Sequence, residues 1–185
     1  PVMLQPCLES LDLQPNGIYV DVTFGGGGHS RAIFEGLSSK GQLVVFDQDP
    51  DALKNTWEAD NFHFVPANFA FIRNHLRALR FPQVDGILAD LGVSSHQFDT
   101  AQRGFSIRED APLDMRMNRN GGQTAAELIA QSDEQKLAAI LYEYGELRNS
   151  RSLAAALVRQ RDNAPLLTTF DLIKVLERFA PKFKD

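Results

Sequence analysis

The four consecutive glycines at residues 25–28 are the part of this sequence best suited to binding a ligand. They follow a short apolar run and precede a segment whose apolar residues have helical spacing. Without Cβ atoms, such a loop can turn sharply and let a ligand approach its backbone. The helix behind it would offer free N–H groups and a positive dipole end, which favour a carboxylate or phosphate. The next residue, His29, is predicted to be either a ligand contact or a structural residue.

Two aspartates follow the second apolar run. Asp47 lies 22 residues after Gly25, at the predicted end of a strand, where a carboxylate can accept both hydroxyls of a ribose. Asp49 directly precedes Pro50, which predicts a helix N-cap followed by proline in the first turn. The glycines and Asp47 fit either a nicotinamide cofactor or S-adenosylmethionine. The dinucleotide motif requires a third glycine where this sequence has Ser30, so the dinucleotide is disfavoured.

A further polar segment, residues 90–97, follows the fourth apolar run. Ligands of open α/β sheets bind beyond the carboxyl ends of the strands, so Asp90 is predicted to face the reaction zone. By itself the segment is equally typical of a simple turn. Phe69, after the third run, could cover a flat heterocycle, although an aromatic residue there is equally typical of a core.

Arginine and aromatic residues come next along the chain. Arg103 and Phe105 are followed by Arg116 in the segment 112–117. Such residues beside a ligand pocket suit an RNA phosphate backbone and a stacked base. The alternative is a partly buried loop with internal salt bridges, which composition does not reject.

The distribution of charge bears on the RNA hypothesis. The formal net charge of −5 argues weakly against a nucleic-acid binder. Residues 1–144, however, contain 11 Lys and Arg against 19 Asp and Glu, whereas residues 145–185 contain 8 against 5. RNA contacts are therefore predicted in the later segment, at Arg148, Arg151, Arg159 and Arg161. A solvated helix face is the alternative.

The apolar pattern predicts the elements that would position these residues. Strands are predicted at 18–24, 42–46, 63–66 and 84–91, alternating with helices at 29–37, from Pro50, and at 69–79. This alternation indicates parallel β-α-β units. After residue 105 a loop-like stretch precedes helices at 125–130, 133–144 and 150–161 and a last helix from Thr169 that stops before Pro181. We therefore predict an α/β domain over residues 1–105, and a connecting loop with an all-helical subdomain over 106–185.

Composition sets broad limits on the class of protein. Hydrophobic residues make up 43% and charged residues 23% of the 185 residues, which is typical of a globular protein. We predict no transmembrane span and no signal peptide, because no sufficiently long apolar run or cationic start occurs. Cys7 is the only cysteine, which excludes an internal disulfide and favours a cytoplasmic location.

Several of these segments together resemble a known family. Residues 23–30 (Thr-Phe-Gly-Gly-Gly-Gly-His-Ser), 47–50 (Asp-Gln-Asp-Pro), 90–95 (Asp-Leu-Gly-Val-Ser-Ser), 103–106, 112–117 and 144–146 are similar to the bacterial 16S ribosomal RNA cytosine-N4 methyltransferases, the RsmH or MraW family. The segments come in family order, and the pair 90–95 and 112–117 is highly specific. His96 replaces a common proline and Gly26 a common Arg or Ala, and neither change removes a functional group.

The resemblance implies a Rossmann-like, S-adenosylmethionine-dependent methyltransferase domain with a helical insertion. The implied reaction methylates the N4 amine of a cytosine in the decoding centre of 16S ribosomal RNA, as naked RNA or in the small ribosomal subunit. The implied cofactor contacts are Gly27, Gly28, His29, Asp47, Phe69, Asp90 and Gln97. We further hypothesise that Asp90 is catalytic, because it could accept a hydrogen bond from the amine.

The resemblance also implies that the family continues past residue 185 with further strands of the catalytic sheet. From this we expect an incomplete sheet, self-association through its open edge, and little or no methyl transfer by these 185 residues alone. Two other functions stay open at this stage, a nicotinamide-dependent dehydrogenase and a non-catalytic RNA-binding module.

Overall fold

The computed structural model describes residues 1–179. The chain forms two compact units. The first comprises residues 1–94 and 117–120, and the second comprises residues 95–116 and the described residues from 121 onward. The division predicted after residue 105 falls inside the second unit and stays a prediction. None of the helices in the described residues has the length and apolar character needed to cross a membrane.

The first unit contains a four-stranded parallel sheet with the order β3-β2-β1-β4. Its strands are β1 (Ile18–Asp21), β2 (Gln42–Phe46), β3 (Phe62–Val65) and β4 (Gly86–Leu88). Its helices are α1 (Leu4–Leu11), α2 (Gly28–Glu35) and α3 (Ile72–Ala78), with 3₁₀ turns at Pro50–Asn55 and Phe69–Phe71. The predicted α/β fold with parallel β-α-β units is confirmed. Helix α1 was not predicted from the sequence.

Both faces of the sheet are buried at β2, which explains the continuous apolar run of this strand. Successive side chains of a strand point to opposite faces. On β2, Leu43 and Val45 pack with Ile33 of α2 in one core cluster, whereas Val44 and Phe46 pack with Leu76 of α3 in another. Residues 43–46 are completely buried. Because helices cover both faces, β2 has the length predicted from its apolar run.

The carboxyl ends of the strands lie at one edge of the sheet, since all pairs are parallel. Asp21 of β1 is in register with Val45 of β2 and Leu88 of β4. Both β1 and β4 are shorter than predicted. Near their ends, the main-chain hydrogen bonds between the two strands are replaced by other contacts. There the Asp90 N–H donates to the Thr23 side chain.

The second unit is helical, as predicted. Its helices are α4 (Ser95–Asp99), α5 (Ala125–Gln131), α6 (Glu134–Glu143), α7 (Ser150–Asn163) and α8 (Thr169–Leu176), with a 3₁₀ turn at Ala101–Arg103. One core cluster joins α5 to α8 through Ile129, Leu137, Leu157 and Val175. Its described residues contain no strand, only an isolated bridge between Pro112 and Thr168. The short helix α4 was missed.

Of the two capping boxes predicted in this unit, one is confirmed and one is wrong. Thr124 and Glu127 form the predicted capping box of α5. The second predicted box, Ser132 with Gln135, is wrong. Asp133 is the N-cap of α6 and accepts a hydrogen bond from the Lys136 N–H, whereas Ser132 ends α5. Two adjacent residues with capping side chains made the start ambiguous by one position.

Candidate functional site

The glycine loop connects the end of β1 to the first turn of α2. Gly25 and Gly27 have φ values of 50° and 74°, a left-handed conformation that favours glycine. Gly27 is the N-cap of α2, and Gly28 is its first residue. A Cβ atom added to Gly26 would meet no atom within 4 Å, so this part of the loop borders open space. The loop can therefore accept a ligand directly against its backbone.

Asp47 follows β2 and already contacts the glycine loop. One oxygen accepts from the Gly25 N–H at 2.7 Å, and the other accepts from the Asp49 N–H at 2.8 Å. Burial raises the pKa of Asp47 above its ordinary value, although these two hydrogen bonds act in the opposite direction. Each oxygen keeps a further lone pair for a ligand hydroxyl. Asp49 accepts from the Asp51 N–H as the predicted N-cap, which is confirmed.

Asp21, at the end of β1, is a polar residue to which the sequence analysis gave no role. Its side chain is 0% exposed. One oxygen accepts from the Ser30 hydroxyl at 2.6 Å, and the other accepts from the N–H and hydroxyl of Thr23 at 2.9 and 3.1 Å. Burial raises the pKa of Asp21, against the effect of these donors. A carboxylate that ends an apolar strand run was the only signal available in the sequence.

Replacing Asp21 by Asn should change how stability depends on pH. An aspartate with a raised folded pKa binds its proton more tightly in the folded state. Its contribution is therefore greatest below the ordinary value of 3.8 and is lost as pH rises through the raised pKa. The free energy of unfolding of wild type, relative to Asp21→Asn, should decrease over that window. Urea titrations at a series of pH values measure the difference, with exposed Asp60→Asn as the control. Parallel profiles for wild type and Asp21→Asn would contradict the assignment.

His29 and Asp90 lie close together beside the glycine loop. His29 is buried in the first turn of α2, and its Nε2 lies 3.0 Å from the Val2 carbonyl oxygen. A carbonyl only accepts, so Nε2 carries a hydrogen. The other ring nitrogen, Nδ1, lies 3.9 Å from a carboxylate oxygen of Asp90, whose side chain is 56% exposed. The arrangement leaves the Asp90 carboxylate accessible beyond the end of β4.

The remaining predicted cofactor residues lie in different units. Phe69 begins the 3₁₀ turn after β3 and is 41% exposed, so its ring can cover a flat ligand. Its turn is capped by Asn68, whose amide donates to the side-chain oxygen of Gln48, next to Asp47. Gln97 is buried on α4 in the second unit, and its cofactor contact stays a prediction.

Two arginines predicted to contact RNA are engaged inside the second unit. Arg103 is 1% exposed, and its guanidinium donates to the Arg116 carbonyl. Arg116 binds both oxygens of Asp114, at 2.8 and 2.9 Å, which raises the pKa of its guanidinium. These contacts connect the two ends of the segment from 103 to 116. The burial of Arg103 weighs against a contact with a phosphate, so both RNA roles stay predictions that the packing disfavours.

Other candidate RNA residues in the second unit are accessible. Phe105, with Phe98 and Ile107, lines an open depression. Arg148 and Arg151 are exposed and line a groove along α6 and the start of α7. The same groove contains Tyr142, 63% exposed, which the sequence analysis missed. Glu134 and Glu143 also line this groove. Arg161 instead donates to the carbonyls of Ile129 and Ser132 near the end of α5.

No group of three or more His, Cys, Asp or Glu side chains within residues 1–179 has the arrangement of a metal site. The candidate site of the first unit consists of the glycine loop and two carboxylates, Asp47 and Asp90, at one edge of the parallel sheet.

The parallel sheet with a glycine loop at its strand ends is that of a Rossmann-like domain. The family model described as the MraW methylase family matches residues 1–185, and the chain belongs to that family.

Relatives with similar sequences come from several bacteria. A ribosomal RNA small subunit methyltransferase H of Cytophaga hutchinsonii is 52% identical over 187 residues, covering 100% of this chain and 62% of the relative. Proteins with the same name from Porphyromonas gingivalis and Flavobacterium johnsoniae are 55% and 48% identical, covering 88% and 98% of this chain. These alignments span 53% and 60% of those two relatives. The chain thus spans less than two thirds of the length of the relatives it matches.

Proposed function

We propose that the protein carrying this chain transfers a methyl group from S-adenosylmethionine to the N4 amine of a cytosine in 16S ribosomal RNA. The target is a decoding-centre base in the small ribosomal subunit, which places the reaction in the cytoplasm. The observation that carries the proposal is the convergence of the glycine loop, Asp47 and Asp90 at one edge of the sheet. The relatives named ribosomal RNA small subunit methyltransferase H supply the substrate class.

The residues present fit the chemical groups of S-adenosylmethionine. The N–H groups of the first turn of α2 suit its carboxylate. Asp47 suits the two ribose hydroxyls, and the exposed ring of Phe69 suits the adenine. Further contacts to the cofactor come from the start of α2, at Gly27, Gly28 and His29. When bound, the cofactor supplies a methyl group already activated by its sulfonium.

The role of the protein in the reaction is then mainly positioning and electrostatics. The target cytosine must be unpaired or flipped out of its stack to reach the site. The accessible Asp90 carboxylate would accept a hydrogen bond from the N4 amine, orient its lone pair and take up the proton that the amine loses. The bond that breaks is the sulfonium–methyl bond, so the cofactor would leave as S-adenosylhomocysteine. No covalent nucleophile is required. The only cysteine, Cys7, packs with the apolar cluster on one face of the sheet.

Two features of the structure support proposals on partners. Arg148, Arg151 and Tyr142 together present cations and an aromatic ring on one groove, a combination suited to single-stranded RNA. In the described sheet β4 is an edge strand, and its Ile87 side chain is exposed. The self-association expected from the sequence stays a prediction.

Replacing both Arg148 and Arg151 by Ala should reduce the salt dependence of binding to small ribosomal subunits. Each phosphate contact contributes about 0.7 to the slope of log K against log salt concentration for a single strand. The slope should therefore become less steep by about 1 to 1.5. Filter binding at several salt concentrations measures it. The matched control replaces Arg73 and Arg77, both exposed on α3. An equal change of slope in both double variants would show that the α7 arginines contribute only general charge.

Calorimetry with S-adenosylmethionine and NAD in parallel tests the cofactor assignment. We expect heat of binding with S-adenosylmethionine and with S-adenosylhomocysteine, and none with NAD at the same concentration. Binding of NAD alone would support a dehydrogenase and contradict the proposed function.

A further inference from the structure

The hydroxyl of Thr23 connects two parts of the candidate site. Its oxygen lies 2.8 Å from the Asp90 backbone nitrogen and 3.1 Å from a carboxylate oxygen of Asp21. The Asp90 N–H can only donate, so the hydroxyl oxygen accepts from it. The single hydroxyl hydrogen is then available for the Asp21 carboxylate. Thr23 is thus an acceptor toward Asp90 and a donor toward Asp21.

This contact extends the pairing of β1 with β4 beyond its main-chain ladder. The Val22 N–H donates to the Leu88 carbonyl at 3.0 Å, just past the paired residues Asp21 and Leu88. Two residues later, the Asp90 N–H donates to a side chain instead of a carbonyl. The backbone of Asp90 is therefore positioned by the hydroxyl of Thr23 at the point where β1 turns into the glycine loop.

The acceptor of the Thr23 hydroxyl is itself fixed. Asp21 is fully buried and accepts from the Ser30 hydroxyl at 2.6 Å and from the Thr23 N–H at 2.9 Å. Ser30 belongs to α2, the helix that follows the glycine loop. A continuous set of hydrogen bonds thus leads from α2 through Asp21 and Thr23 to Asp90. Hydrogen bonds of this kind orient a functional group more precisely than a loop backbone would alone.

We infer that Thr23 is a positioning residue for Asp90, and that its hydroxyl places this carboxylate for methyl transfer. The inference rests on the proposed function, in which Asp90 contacts the amine of the target base. Thr23 itself acts through Asp90 and contacts no reacting atom in this account.

Thr23→Val keeps the shape of the side chain and removes the hydroxyl, whereas Thr23→Ser keeps the hydroxyl. In the protein expressed from its native reading frame, Thr23→Val should lower turnover about ten-fold, because small displacements of reacting groups are costly. The affinity for S-adenosylmethionine should fall less than turnover, and Thr23→Ser should restore most of the activity. A purely structural effect of side-chain volume would not be rescued by the smaller serine.

A double-mutant cycle with Asp90→Asn tests whether Thr23 acts through Asp90. If it does, Thr23→Val should cost little further activity once the Asp90 carboxylate is gone. If the double variant loses turnover by the product of the two single-variant factors, the inference is overturned. Thr56→Val is the matched control, since the Thr56 hydroxyl donates only to a local turn carbonyl. It should leave turnover unchanged.

Amide hydrogen exchange provides a second readout that needs no activity. The Asp90 N–H should exchange faster in Thr23→Val than in wild type or Thr23→Ser. If Thr23→Val does not fold, Thr23→Ala replaces it in both measurements. If wild type is active, and Thr23→Val is equally active and equally protected at the Asp90 N–H, the inference is overturned but the proposed function is not. An inactive wild type overturns the proposed function, while the exchange rates still decide whether Thr23 positions the Asp90 backbone.

Discussion

Asp47→Ala is expected to weaken binding of S-adenosylmethionine about ten- to a hundred-fold. Hydrogen bonds to a charged group contribute about 1.5–3 kcal/mol each, and about 1.4 kcal/mol corresponds to a factor of ten in affinity. The carboxylate has two roles, because it is suited to the ribose hydroxyls and accepts the N–H groups of Gly25 and Asp49. Calorimetry on the folded variant measures the change in dissociation constant.

Two comparisons isolate the effect of Asp47. Asp60→Ala removes an exposed carboxylate near β3 and should leave affinity unchanged. Asp47→Asn keeps one acceptor oxygen for the Gly25 N–H and should bind with intermediate affinity. If folded Asp47→Ala binds as tightly as wild type, Asp47 is a loop residue and not a cofactor contact.

Asp90→Asn is expected to lower turnover roughly a hundred-fold while lowering cofactor affinity much less. Proton acceptors positioned at a reacting group contribute about 10²–10⁴-fold to rates. The amide of Asn has the same shape, but its oxygen is a weaker acceptor than a carboxylate. The exposed Asp90 side chain has few packing contacts to lose, so the fold should be retained. Steady-state kinetics on small ribosomal subunits, with parallel calorimetry, separates the two quantities.

The ratio of the two effects decides the role of Asp90. Equal reductions in turnover and in cofactor affinity would make Asp90 a cofactor contact only. Asp60→Asn serves as the control for loss of a carboxylate near the sheet and should change neither quantity.

The bounds of an element were predicted correctly where its residues are buried one after another. β2 has the predicted bounds because helices cover both of its faces, and the Asp49–Pro50 cap depends only on adjacent residues. The ends of β1 and β4 could not be predicted. They depend on the Thr23 hydroxyl meeting a backbone group 67 residues away. Local periodicity contains no information on such contacts.

The position of the glycine loop beside Asp47 was predictable from the sequence, whereas the roles of these residues in binding stay predictions. The glycine loop and Asp47 are adjacent in the structure, as their spacing suggested. Asp21 was missed because its burial depends on Ser30 on another element, and an isolated carboxylate is usually exposed. The burial of Arg103 agrees with the alternative that the sequence left open, a partly buried loop with internal salt bridges, because composition does not distinguish a structural arginine from one that contacts RNA.

Methyl transfer to small ribosomal subunits tests the central proposal most directly. Subunits that lack the modification would be incubated with labelled S-adenosylmethionine and the protein expressed from its native reading frame. The 16S RNA would then be digested and analysed by mass spectrometry. We expect N4-methylcytidine at one cytosine of the decoding centre, and loss of this product with Asp90→Asn. A protein that binds S-adenosylmethionine but leaves the RNA unmodified, or methylates a different atom, would contradict it.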